Sequence, residues 1–136
     1  MFHTLEHIPS QISCLKMLKN KLYPNGKIII EVPHANDVLI SKTKLNKYLK
    51  FIFIQEHLIV HTTNSLKKLL KYCGFKNIKI KYFQRHNLNN FIFWTTKGKP
   101  DGHNLLNIVN RQTNIKYDKY LIRNKITDTL IASANT

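Results

Sequence analysis

Leu22-Tyr23-Pro24-Asn25-Gly26-Lys27-Ile28-Ile29-Ile30-Glu31-Val32-Pro33 decides the fold class of this chain. Pro24-Asn25-Gly26 is turn chemistry, because proline presets one backbone angle and asparagine and glycine tolerate left-handed backbone. Lys27 to Val32 is short, nearly continuous in apolar character and rich in isoleucine. Such a run predicts a strand buried on both faces, as in a parallel sheet. Pro33 stops it, since proline cannot donate to a ladder.

Upstream, Phe2-His3-Thr4-Leu5-Glu6-His7-Ile8 reads as a strand end running into a loop. Pro9-Ser10 then opens a helix, with Ser10 as its N-cap. Ile12, Leu15, Leu18 and Leu22 recur at helical spacing, and Lys16, Lys19 and Lys21 lie off that face. Downstream, residues 34–62 lack a clean period and read as a long loop with short helical pieces, a length that is often functional. Thr62 or Thr63 caps a helix carrying Leu66, Leu69, Leu70 and Cys73, and Gly74 ends it. Ile78, Ile80 and Tyr82 alternate with Lys79 and Lys81, which predicts a strand with one wet face. Residues 89–96 suit either a strand or a short helix, 115–124 a helix, and 128–134 a final strand. Strand, helix, strand, helix, strand predicts an α/β fold with a mainly parallel sheet.

The 136 residues, 43% of them hydrophobic, suffice for one small globular domain. No apolar run approaches the roughly 20 residues of a membrane-spanning helix, and the first residues do not read as a secretory signal. The expectation is a cytoplasmic protein without a membrane span. Cys14 and Cys73 are far apart and predict buried thiols rather than a disulfide. The net charge of +15 is mostly lysine, with Arg85, Arg111 and Arg123 the only arginines. Those lysines are scattered over polar faces and accompany abundant asparagine and isoleucine. This pattern predicts a solvated basic surface more than a nucleic-acid interface.

In order, the Leu5-Glu6-His7 segment, the Pro24-Asn25-Gly26 turn with its isoleucine strand, Glu56-His57-Leu58, and the helix ending in Cys73-Gly74-Phe75 form a recognisable series. It resembles the class I S-adenosylmethionine-dependent methyltransferases, in the group that includes ubiquinone-biosynthesis O-methyltransferases and sugar-modifying enzymes. The resemblance covers residues 1–83. It implies the C-terminal half of a seven-stranded Rossmann-like sheet, mainly parallel with an antiparallel last strand. Residues 28–32 would be its fifth strand and 76–83 its sixth. Residues 128–134 would be the seventh, which makes 87–124 a helical insertion on the substrate side of a single partial domain, 1–136.

The implied cofactor is S-adenosylmethionine, with Phe2, His3 and Leu5 beside its methionine part. The family's glycine-rich turn has no counterpart among Gly26, Gly74, Gly98 and Gly102. The resemblance therefore implies a truncated enzyme, inactive alone. The implied reaction is methyl transfer to a small-molecule acceptor, an oxygen of a sugar or quinone-like compound. His7, His34 and His57 are the candidate general bases, because imidazole titrates near neutral pH. Glu6 reads as a structural residue that holds its loop. Arg85, His86 and Trp94 are candidates for lining a substrate pocket, although Trp94 suits the core equally. The histidines show no HxxxH or HxH spacing, so no metal site is expected. Two other readings stand beside this one. The chain could be an inactive relic, or a subunit whose exposed sheet edge meets a complementing chain or a second copy. It could also be an RNA methyltransferase, for which only the charge speaks.

Overall fold

The computed structural model describes residues 1–136, the side chain of His103 excepted. A 3-10 turn, Leu5–His7, precedes helix α1 (Gln11–Lys21) and strand β1 (Lys27–Pro33). Helices α2 (Val38–Ser41), α3 (Asn46–Ile52) and α4 (Thr63–Tyr72) lead to β2 (Lys76–Phe83). Helices α5 (Leu88–Lys97), α6 (Gly102–Leu105) and α7 (Arg111–Asn124) precede β3 (Thr129–Asn135).

The sheet order is β1-β3-β2, and β3 pairs antiparallel with both neighbours. The last strand is antiparallel as expected, while these three strands do not by themselves make a mainly parallel sheet. β1 and β2 do run in one direction, as the helical crossover between them requires. The last strand separates them, so among the described residues parallel pairing survives only as the bridges Phe2 to Glu31 and His34 to His61. The opening segment is correspondingly not an extended strand. Met1 O accepts from Glu31 N at 2.9 Å, and His3 N donates to Glu31 O at 2.9 Å, before the chain turns.

Burial along β1 corrects a second expectation. Ile28, Ile30 and Val32 are buried, whereas Ile29 is 43% exposed. The strand covers one face only, with period 2. Its inner residues pack with Leu15 of α1, Leu66 and Leu70 of α4, and Leu130, Ala132 and Ala134 of β3. Leu66 and Leu70 sit four apart, one above the other on α4. Each fully buried leucine contributes about 1.5–3 kcal/mol relative to exposure. Cys73 lies in this core, Cys14 is half-buried, and both are free thiols.

Local chemistry explains the boundaries. Gly26 N bonds Tyr23 O at 2.8 Å, and a Cβ on Gly26 would meet that oxygen at 2.7 Å, so the turn into β1 excludes side chains there. Thr62 and Ser65 close a reciprocal capping box on α4. Gly74, at φ +83°, takes the left-handed position after that helix. Ser10 stands at the N-cap position of α1 but makes no capping hydrogen bond. Residues 89–96 are helical, because Asn87 caps them by accepting from Asn90 N.

A second core forms beyond the ends of β1 and β2. Val38, Leu39, Tyr48, Ile52, Trp94, Leu121 and Ile126 join α2, α3, α5 and α7. Among the described residues no helix is long and apolar enough to cross a membrane.

Candidate functional site

A cavity of about 230 Å³ opens where β1 and β2 end and β3 begins, with Pro33, Asp128 and Thr129 on its wall. Ligands of open α/β sheets bind at this carboxyl edge. One side of the cavity is aromatic, formed by Tyr48, Phe51 and Trp94. Tyr48 and Trp94 meet edge-on with centroids 4.9 Å apart, and Phe51 lies 5.0 Å from Trp94. The lining also carries the polar side chains of His3, His57, Arg85 and His86.

Two carboxylates hold these walls, Asp37 buried and Asp128 partly buried. Asp37 caps α2 by accepting from Leu39 N at 3.0 Å, and it also accepts from the Tyr48 hydroxyl. Burial pushes the Asp37 carboxyl up to about 6, against the opposing pull of the Tyr48 hydrogen bond. Burial also raises the Tyr48 hydroxyl, with the Asp37 charge acting in the same sense. Asp128 clamps the segment after β2. Its carboxylate accepts from Arg85 N, His86 N and Gln84 Nε2, each at 2.9 Å, and from Thr129 Oγ1 at 2.8 Å. His86 Nδ1 lies 3.1 Å from the same group.

His3 and His57, two of the residues expected from sequence, line the cavity. His3 Nε2 is 2.9 Å from Glu31 Oε1, and Arg85 Nη1 is 3.7 Å from that same oxygen. His7 is not a cavity residue, but its ring lies 4.8 Å from the ring of His57. Phe2 is 63% exposed and lies outside the cavity wall. The Leu5 side chain is wholly inside the core. It could support a cofactor only through the backbone it anchors.

His34 is 1% exposed, donates from Nδ1 to Thr127 O at 2.9 Å, and has its pKa lowered by burial. As an interior neutral ring it does not reach the cavity. His61 is likewise buried, joined to Gln11 and Ser65 and lowered by burial. Trp94 is both core and cavity wall.

Asp37, Tyr48, Phe51 and Asp128 are the site residues that local sequence patterns miss. Tyr48 and Phe51 stand three apart on a helix whose pattern is otherwise weak. Asp128 is a lone acid before a strand.

The family model of a methyltransferase domain matches residues 1–80. A SAM-dependent methyltransferase from Archaeoglobus fulgidus superposes with TM-score 0.58 at 21% identity, over 100% of this chain and 57% of that one. A second from Thermotoga maritima, described as a possible histamine N-methyltransferase, superposes with TM-score 0.61 at 14% identity, over 99% and 53%. The chain thus spans little more than half the length of these similar structures. No match was found among curated proteins. A family-model match over more than half of the chain shows that the chain belongs to the methyltransferase-domain family.

Proposed function

We propose that this chain forms the acceptor side of an S-adenosylmethionine-dependent methyltransferase site and takes a small, hydroxyl-bearing ring as its acceptor. The observation that carries this reading is the cavity at the carboxyl edge, whose lining combines three aromatic side chains with histidine and arginine. A flat quinone-like ring or a sugar face packs on Tyr48, Phe51 and Trp94, and its hydroxyls meet His3, His57 and Arg85.

The fit to the cofactor is partial. At about 230 Å³ the cavity is below the roughly 300–1,000 Å³ of ligand pockets. None of the four glycines leaves a backbone cradle open. A Cβ at each would meet this chain's own atoms within 4 Å. The described residues therefore suit the methyl-bearing end of the cofactor and the acceptor, with His3 nearest that end.

When bound, S-adenosylmethionine supplies an activated methyl group on a positively charged sulfur. The chain's own task is alignment and exclusion of water, which supply much of the rate in such transfers. The aromatic wall orients the ring, and the polar side chains of the lining hold its hydroxyl in place.

The test is incubation of the chain with methyl-labelled S-adenosylmethionine and separate panels of monosaccharides, catechols and RNA, with calorimetric titration of the cofactor alongside. Label on a sugar or catechol oxygen is the expected result. Label on RNA alone overturns the acceptor class. Cofactor binding weaker than about 1 mM, or about 4 kcal/mol, overturns the assignment of cofactor contact to this chain.

A further inference from the structure

We propose that Glu6, His7 and His57 bind a divalent transition-metal ion, zinc by the chemistry of the donors. Glu6 and His7 stand on the 3-10 turn after the first bridge, and His57 comes from the loop after α3. One ligand-capable atom from each lies within 4.8 Å of the others. A glutamate and two histidines with an open fourth position is a donor set that holds catalytic zinc.

The carboxylate of Glu6 is the first reason. The residue is 0% exposed, and neither of its oxygens has a hydrogen-bond partner. The neighbouring imidazole nitrogens stand off from Oε1, His3 Nδ1 at 3.5 Å and His7 Nε2 at 3.9 Å. A buried carboxylate without a hydrogen bond is costly unless a charge completes it. The expectation that Glu6 holds its loop is met by its backbone instead, since Glu6 O accepts from Leu58 N at 2.9 Å.

The two imidazoles are the second reason. His7 Nδ1 bonds Glu56 O at 2.7 Å, and His57 Nδ1 bonds Ile52 O at 2.7 Å. A carbonyl oxygen only accepts, so each Nδ1 carries a proton and Nε2 is the ring atom left to face a metal. Metal-ligating histidines are oriented by such carbonyl partners. Donors about 2.0–2.2 Å from tetrahedral zinc lie about 3.3 Å from one another. Closing from separations of up to 4.8 Å needs side-chain shifts of up to about 1.5 Å. Loop 56–59 is already tied to the turn through Glu6 O and Glu56 O. Local spacing predicts no metal site because His57 is remote in sequence, and the fold supplies the missing donor.

The use of the ion rests on the methyl-transfer reading, while its binding does not. His57 lines the cavity, so an ion bound to it would stand at the cavity wall. An acceptor hydroxyl held there releases its proton to water. The oxygen's electron pair forms the new C–O bond as the methyl–sulfur bond breaks, and the electrons of that bond go to sulfur.

The experiment is calorimetric titration of the chain with zinc chloride in the absence of cofactor, with the visible spectrum of the cobalt-loaded chain as the signature of the ligand set. One site with a Kd of about 1 µM or tighter is expected. Glu6→Gln and His57→Gln should each weaken it by more than about 100-fold, beyond the 10–100-fold cost of losing an outer partner. Far-UV circular dichroism verifies folding. If Glu6→Gln does not fold, His57→Gln and the cobalt spectrum carry the test. Binding weaker than about 1 mM overturns the site, as does wild-type affinity in a folded Glu6→Gln or His57→Gln chain. Zinc binding without methyl transfer keeps the site and removes its use. Methyl transfer at full rate by metal-free chain keeps the reaction and removes the ion from it.

Discussion

Replacing Asp37 by asparagine tests the physics that holds the aromatic wall. Asp37 is 2% exposed and accepts hydrogen bonds from Leu39 N and the Tyr48 hydroxyl. Its carboxyl is pushed from 3.8 up to about 6, chiefly by burial. A raised folded pKa means that the folded state holds the proton more tightly than the unfolded chain. The associated stability is fully present below about 3.8 and is lost as pH rises through about 6. The difference in proton affinity corresponds to at most about 3 kcal/mol at about 1.36 kcal/mol per tenfold. Asparagine keeps the shape, offers Oδ1 to Leu39 N, and can donate to the Tyr48 oxygen, but does not titrate.

Urea unfolding of both chains, at several values between pH 3.5 and 7.5, separates this residue from the rest, because other groups cancel in the difference. Relative to wild type, Asp37→Asn should gain stability as pH rises, by an amount approaching 3 kcal/mol, with most of the change between about pH 4 and 6. A difference between the two chains that stays flat across that window would refute the assignment of a strained, burial-raised carboxyl at the base of Tyr48.

Two further substitutions address the walls directly. Trp94→Ala should cost about 3–5 kcal/mol in urea unfolding, since the indole is 3% exposed and touches both Tyr48 and Phe51. Asp128→Ala should destabilise by more than about 3 kcal/mol, because charge-assisted hydrogen bonds contribute about 1.5–3 kcal/mol each. It should also speed amide hydrogen exchange at Arg85 and His86, whose N–H groups Asp128 accepts. Unchanged exchange at those two amides would show that the segment is held by something else.

What could be read from the sequence was what neighbours in sequence decide. The Pro24-Asn25-Gly26 turn, the capped start of α4 and its glycine stop, and the alternation of β2 all rest on contacts within a few residues. Strand order does not. The direction of β3 relative to β1 and β2 depends on where α7 returns the chain, and residues 128–134 carry no mark of it. Nor does the isoleucine run of β1 reveal that Ile29 faces out, since composition alone cannot separate one covered face from two. The site divides the same way. His3, Glu6 and His7 lie in the segment that carries the family resemblance. His57 comes from a distant loop, and Asp37 and Asp128 act through partners that no spacing rule links to them. His34 and Leu5 drew attention as residues at a strand end, yet burial turns both inward.

The insertion of β3 is also what makes the cavity. Thr129, its first residue, pairs with Pro33 at the end of β1 and with Phe83 at the end of β2. Because β3 is antiparallel, its beginning lies level with the ends of its neighbours, and the residue before it emerges between the two segments that leave the sheet. That residue is Asp128. Its carbonyl accepts from His34 N at 2.8 Å on one side, and its carboxylate gathers Gln84, Arg85 and His86 on the other. A parallel strand in the same place would bring its own end to this edge and carry its first residue, with any such acid, to the far side of the sheet. One residue, through its carbonyl on one side and its carboxylate on the other, thereby holds both exits at once, and the placing of Arg85 and His86 at the cavity follows from the direction of a single strand.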